Sequence, residues 1–151
     1  MVDARTGLQC AELQTKMPPL ELAQSVAELA REYNDGLLVV ERNNHGSGVL
    51  AYLKSVCRVA RLYAEGGQDG WLTSSLSRPR MVAAVGAALV EEPHLFQSER
   101  LLRECRSFIR LRNGGTGAQA GAHDDCVMAM AIALSVRQEA GGRVRMEAGW
   151  R

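Results

Sequence analysis

The chain has 151 residues, of which 46% are hydrophobic and 23% charged, with 18 Lys and Arg against 17 Asp and Glu. That length suits one domain with a sizeable core, and that composition excludes a disordered chain, a collagen and a coiled coil. A net charge of +1 names no partner, so a contact with nucleic acid needs a local basic patch.

In chain order, the first element reads as a β-hairpin, residues 1–4 and 8–13 flanking the turn signal Arg5-Thr6-Gly7. Met17-Pro18-Pro19 stops it, and Pro19 suits the first position of a helix. Leu22, Val26, Leu29, Ala30 and Tyr33 recur at helical spacing, which predicts an amphipathic helix over 19–33, ended by Asn34-Asp35-Gly36. Residues 36–42 read as a strand. The apolar run Leu37-Leu38-Val39-Val40 implies burial on both faces of an α/β sheet, ending in Glu41. A polar loop over 43–48 leads to a helix near 49–57, a short strand over 61–65 and a loop over 66–73 that contains Trp71. Helices are expected over 79–92 and 98–105, then a strand over 107–111 and a glycine-rich loop over 113–122. A nearly all-apolar, and so buried, helix follows over 124–137. Residues 1–140 read as one domain, and residues 141–151 as a loose basic tail. Strands alternating with helices give an α/β class, its sheet mixed because of the opening hairpin.

The longest apolar runs, 37–40 and 127–134, fall short of the about 20 residues of a membrane helix. The first ten residues carry no apolar signal core, so a cytoplasmic, non-membrane protein is expected. Cys10, Cys57, Cys105 and Cys126 are too widely spaced for a zinc ribbon and read as reduced, mostly buried thiols.

Two acidic positions carry possible chemistry. Glu41 falls at the carboxyl end of a strand, where open α/β sheets place their sites, and its neighbours Arg42, Asn43, Asn44 and His45 are all polar. A solvent-facing strand end is the plainer alternative. His123-Asp124-Asp125 opens the apolar helix, where one Asp serves as an N-cap. Two adjacent Asp and a His exceed that need. With Glu41 they supply oxygen ligands for Mg²⁺ or Mn²⁺, and two such ions about 4 Å apart support phosphodiester cleavage. Arg100, Arg103 and Arg106 share a helix face, and Arg110 and Arg112 share a strand face. They form either a phosphate-tracking stripe or a solvated face balanced by Glu99 and Glu104. Trp71 reads as a buried loop anchor or as a stacking surface, with Arg78 or Arg80 on phosphate. His45 and His94 read as surface residues. No G-x-S-x-G elbow is present, which sets a serine hydrolase aside.

Four segments, in order, resemble one family. Leu38-Val39-Val40-Glu41-Arg42-Asn43-Asn44-His45-Gly46 resembles the strand-end Glu motif of the nuclease domain of phage terminase large subunits. Gly70-Trp71-Leu72-Thr73 with Arg78-Pro79-Arg80-Met81 is similar to its middle segment. Glu104-Cys105-Arg106-Ser107-Phe108 is similar to the helix-to-strand segment that follows. Gly121-Ala122-His123-Asp124-Asp125-Cys126-Val127-Met128-Ala129 is similar to its last acidic motif. The resemblance implies an RNase H-like fold, a mixed sheet flanked by helices. It also implies an endonuclease with two Mg²⁺ or Mn²⁺ ions that cuts concatemeric double-stranded DNA during packaging in a bacterial host, beside other terminase and portal components.

Carried over by motif, Glu41 is a catalytic and metal-binding carboxylate, and Asp125, Asp124 or both supply the last one. Asn43, Asn44 and His123 line the site, while Trp71, Arg78, Arg80, Arg106 and Arg110 contact DNA. The family's first acidic motif and its central strand are absent here, as is a P-loop of the GxxxxGK[ST] type. Asp3 is a poor substitute, because it precedes the hairpin turn. The expectation is therefore a truncated, weakly active or inactive nuclease domain. The competing expectations are a non-catalytic module that binds DNA or a packaging partner, and a different RNase H-like nuclease.

Overall fold

Pro19, lacking an N–H where a helix needs none, opens α1 (Pro19–Glu32) in the computed structural model of the protein. The structure describes residues 1–43, 45–112 and 114–148, with side chains through residue 141. Asn44 therefore lies outside the described residues, as do residues 149–151. Among the described residues the fold is mixed α/β, with five helices and two small antiparallel sheets. Its contacts divide into two compact units, although no linker is visible in the sequence.

One unit comprises residues 15–74. Here α1 packs on α2 (Gly46–Ser55), burying Ala23 and Ala27 with Val49 and Leu53. Small residues on α1 permit the close approach. Asn34 and Asp35 take left-handed backbone angles and Gly36 N–H returns to the Ala30 carbonyl at 3.0 Å, which ends the helix at the expected place.

Residues 38–42 then run extended, parallel to residues 61–63 and 70–71. Leu38 N–H donates to the Arg61 carbonyl (2.9 Å), Trp71 N–H to Val40 (2.8 Å) and Arg42 N–H to Trp71 (2.9 Å). Between its two pairing stretches the second chain makes an excursion, the hairpin β1 (Ala64–Glu65) and β2 (Gln68–Asp69). Gly66 and Gly67, at φ +59° and +79°, supply its two-residue turn, which requires left-handed angles at both positions.

Leu38, Val40 and Leu62 face the helices and pack on their core. The expected burial of the 37–40 run on both faces is not found: Leu37 is 43% exposed, and Leu38, Val39 and Val40 are only part-buried. Among the described residues they pair along one edge only, through isolated bridges rather than inside a wide sheet.

The other unit comprises residues 1–14 and 75–151. The opening hairpin reduces to a single antiparallel bridge, Val2 with Gln9, around the expected turn. The Asp3 carboxylate closes that turn by accepting from Arg5 N–H (2.9 Å), Thr6 N–H (2.7 Å) and the Thr6 hydroxyl (2.9 Å). These bonds, those of Thr6 foremost, hold its pKa below the usual carboxylate value.

Next come α3 (Ser77–Glu91), a single 3₁₀ turn over Pro93–Leu95, and α4 (Glu99–Ser107), capped by the Ser98 hydroxyl accepting from Leu101 N–H at 3.1 Å. A second hairpin follows. β3 (Phe108–Arg110) pairs with β4 (Thr116–Ala118), and β4 falls inside the expected loop. The last helix, α5 (Asp125–Ala148), runs past the expected end at 137 and into the segment read as a loose tail. It buries Val127, Met128, Met130, Ala131, Ile132, Leu134 and Val136, on more than one stripe, and packs on α3 and α4. None of the four cysteines is in a disulfide, and only Cys126 is buried; Cys10 is exposed and Cys57 and Cys105 lie between. No described helix is long and apolar enough to cross a membrane.

Candidate functional site

The sequence-derived acidic residues lie on different units, Glu41 on one and Asp124 and Asp125 on the other. Glu41 stands where the extended segment gives way to α2. The turn behind it is tight: a Cβ on Gly46 would collide with the Glu41 carbonyl oxygen, so only glycine fits there. Glu41 pairs with Trp71 in the parallel arrangement, which puts their side chains on one face, opposite Leu38, Val40 and Leu62. Asn43 and Thr73, two residues further along each chain, extend that face, and Asn43 Nδ2 donates to the Thr73 carbonyl at 2.8 Å.

Among the described residues the Glu41 carboxylate has neither a hydrogen bond nor an ion pair. Its neighbours are similarly unfilled. Asn43 Oδ1, Thr73 Oγ1 and Trp71 Nε1 are all buried without a hydrogen-bond partner. Buried polar atoms in native proteins are nearly always paired, so three on one face mark a place built for a polar occupant. Arg42, on the other face, is engaged. Its guanidinium donates to the Gly70 carbonyl (2.9 Å) and the Gln68 carbonyl (3.4 Å) and lies 3.7 Å from Glu65, holding the hairpin.

Trp71 is only 5% exposed, with its ring 6.0 Å from that of Tyr63. That little exposure favours the loop-anchor reading over a stacking surface for DNA. The ring contact with the buried Tyr63 anchors the loop.

At the start of α5 the acids are differently placed. Asp124 occupies the N-cap position, its carbonyl accepting from Met128 N–H at 2.9 Å. Its carboxylate does not cap. It pairs with Arg78 at 2.8 Å, and the same guanidinium donates to the Thr116 carbonyl at 3.2 Å. Arg78 thereby ties the start of α3 to β4 and α5. Asp125 is exposed, with His123 Nδ1 at 3.8 Å, a loose contact between two solvated side chains.

The capping is done by Glu104, which the plainer reading of the arginine run counted among its balancing surface charges. Glu104 is 8% exposed, and its Oε2 accepts from Cys126 N–H (2.7 Å) and Val127 N–H (3.2 Å). Gln14 Nε2 donates to its other oxygen at 3.3 Å. A carboxylate at a helix N-terminus meets free N–H groups and the positive end of the dipole. Burial, together with the charge of Glu104, raises the pKa of the Cys126 thiol to about 12, which makes it an unreactive core residue. Burial first, then Glu104, also raises that of Cys105. The sequence signal was available: Leu101 and Glu104 are three apart on α4, and both face inward.

The remaining arginines are exposed. Arg103 pairs with Glu99 and Arg100 with Glu12 at 3.6 Å, so Glu99 balances the face as expected, whereas Glu104 is turned inward. Arg80, Arg106 and Arg110 form no ion pair among the described residues and remain available to an anionic partner.

The Mg²⁺ or Mn²⁺ that the resemblance implies requires hard oxygen donors. Beside Glu41 the residues fit one hydrated ion: an uncompensated carboxylate and two buried oxygens lacking hydrogen bonds. A larger set is not assembled, because within neither unit do three or more described His, Cys, Asp or Glu side chains come together to hold a metal. Compared with known proteins, the chain matches no family model and no characterised protein.

Proposed function

We propose that this chain is a nuclease domain of the phage terminase large-subunit type, RNase H-like in ancestry, whose own cleavage of double-stranded DNA is weak or absent. The observation that carries the reading is the Glu41 strand end, a carboxylate without a partner flanked by the unpaired Asn43 and Thr73 oxygens. Such a position can hold a divalent ion, which supplies a polarised water and charge neutralisation for phosphodiester hydrolysis. Glu41 is the direct ligand, and Asp125, exposed and held only loosely by His123, is the more accessible acid of the second motif.

Weak activity follows from the other acids. Asp124 is paired with Arg78, and Asp3 is engaged by its own turn, so neither carboxylate is free to bind an ion. The test is plasmid nicking by the purified chain in Mn²⁺ beside Glu41→Ala. Trace nicking lost in Glu41→Ala, or none with Glu41-dependent ion binding retained, supports the reading. Full-strength cleavage abolished by Glu41→Ala overturns the weak-activity part, and the absence of any Glu41-dependent ion binding overturns the nuclease ancestry.

A second reading is a non-catalytic DNA- or packaging-partner-binding module. It is favoured by one observation, the exposed Arg80, Arg106 and Arg110. It predicts DNA binding that weakens steeply with salt and survives Glu41→Ala.

A further inference from the structure

We infer that Asn43 and Thr73 are positioning residues for a hydrated divalent cation on Glu41, with Asn43 Oδ1 and Thr73 Oγ1 accepting hydrogen bonds from the waters around the ion. The inference rests on the proposed function, and goes beyond it by naming the residues that set the ion's hydration shell.

The argument begins with which atoms are free. The Asn43 amide cannot simply be turned over, because its Nδ2 must point at the Thr73 carbonyl, 2.8 Å away. Its Oδ1 is therefore fixed as an acceptor, buried and without a donor. Thr73 Oγ1 is buried and unpaired beside it, on the chain that the amide clasps. Trp71, 5% exposed and paired with Glu41 in the parallel bridge, holds a donor with no acceptor.

The occupant must therefore donate to Asn43 Oδ1 and also offer lone pairs to Trp71 Nε1. A phosphate fails the first requirement and is repelled by the Glu41 carboxylate. A bare cation fails the second. Water meets both, and the negative charge of Glu41, which no described cation balances, favours water that comes with a cation. Mg²⁺ and Mn²⁺ are suitable, because Mg²⁺ keeps several waters and binds proteins through only one or two carboxylates. Groups that hydrogen-bond to the first shell of such an ion typically set 10- to 100-fold of its affinity.

The experiment uses the full chain labelled with ¹⁵N, titrated with Mn²⁺ and with Mg²⁺. The Trp71 indole N–H signal, assigned through Trp71→Phe, is the reporter, and calorimetry gives the affinity. The expected result is Mn²⁺ broadening and a Mg²⁺ shift of that signal, both lost in Glu41→Gln. Asn43→Ala and Thr73→Val should weaken binding about 10- to 100-fold. Thr73→Val preserves shape, so it reads the hydroxyl alone should Asn43→Ala fail to fold. Glu41-dependent binding that is unchanged in both variants overturns the inference and leaves the proposed function standing; the three atoms then hold ordered water only. No Glu41-dependent binding overturns both. Binding sensitive to Asn43 and Thr73 without any nicking supports the inference on its own.

Discussion

The two acidic regions differ in what their carboxylates already do. At the start of α5, Asp124 is tied to Arg78, and Glu104 reaches from α4 to cap the helix. At the end of the 38–42 segment, Glu41 has no described partner, and three polar atoms of its neighbours are unfilled. The first region is closed by protein–protein bonds that hold α3, α4, β4 and α5 together. The second is left open at the cost of unmade hydrogen bonds. Stability and binding compete for the same side chains: the first region commits Asp124 and Glu104 to protein contacts, whereas the second leaves Glu41 uncommitted, as the proposed function requires.

The largest effect expected is at Glu104. Glu104→Ala strips two buried N–H groups of a charged acceptor, which should cost about 3 kcal/mol in urea unfolding. Glu104→Gln keeps an acceptor and should cost about half of that, because only the charge-assisted part of the bond is lost. A loss below about 1 kcal/mol for Glu104→Ala would show that α5 is held by its apolar packing alone and would break the contrast.

Gly46→Ala comes next. The added Cβ collides with the Glu41 carbonyl, so the start of α2 must shift, at about 2 kcal/mol. The same variant should weaken any Glu41-dependent ion binding, since the displaced backbone carries the carboxylate. An unchanged melting temperature with unchanged binding would mean that the turn relaxes without moving Glu41.

Arg78→Ala sharpens the comparison from the other side. The Arg78–Asp124 pair is about two-thirds buried, with side-chain exposures of 32% and 29%. Losing it and the bond to Thr116 should cost about 1 kcal/mol, well below Glu104→Ala. If Arg78 also keeps Asp124 from acting as an ion ligand, this variant should gain divalent-ion affinity while losing stability. Equal losses in both properties would place Asp124 among purely structural residues.

These contrasts also show what the amino-acid order made legible. Pro19 and the spacing of Leu22, Val26 and Leu29 marked α1, and the dense apolar run after Asp125 marked α5, because long periodic segments carry their own signal. The first hairpin was hidden, because β1 and β2 have two residues each, too few for alternation to register; of the second only β3 was legible, β4 lying in a glycine-rich stretch. Gly66-Gly67 was the available clue, a turn signal with almost no strand beside it. The run Leu37-Leu38-Val39-Val40 suggested a doubly covered strand because apolarity reports the wish for burial, whereas coverage depends on partners elsewhere in the chain. Glu41 was singled out by its strand end, yet its Asn43 and Thr73 neighbours come together only through the pairing of residues 41 and 71. Glu104 was missed because the N–H groups it satisfies lie 22 and 23 residues away.

The smallest effect separates a closed carboxylate from an open one by titration. Asp3 is part-buried, and its bonds to Thr6 and Arg5 favour the charged form and lower its pKa from the ordinary 3.8. The sign follows directly. A depressed folded-state pKa means that the turn gains stability above the unfolded value and loses it as acid carries the pH down through the folded one. Only the window below about pH 4 is affected, so neutral-pH stability should be insensitive to it. NMR titration of the Asp3 carboxyl should show a midpoint below 3.8 that moves back toward it in Thr6→Ala, which removes the hydroxyl donor but keeps the backbone one. A midpoint unmoved by Thr6→Ala would assign the shift to the backbone N–H groups alone. The turn would then be held by chain geometry rather than by the threonine side chain.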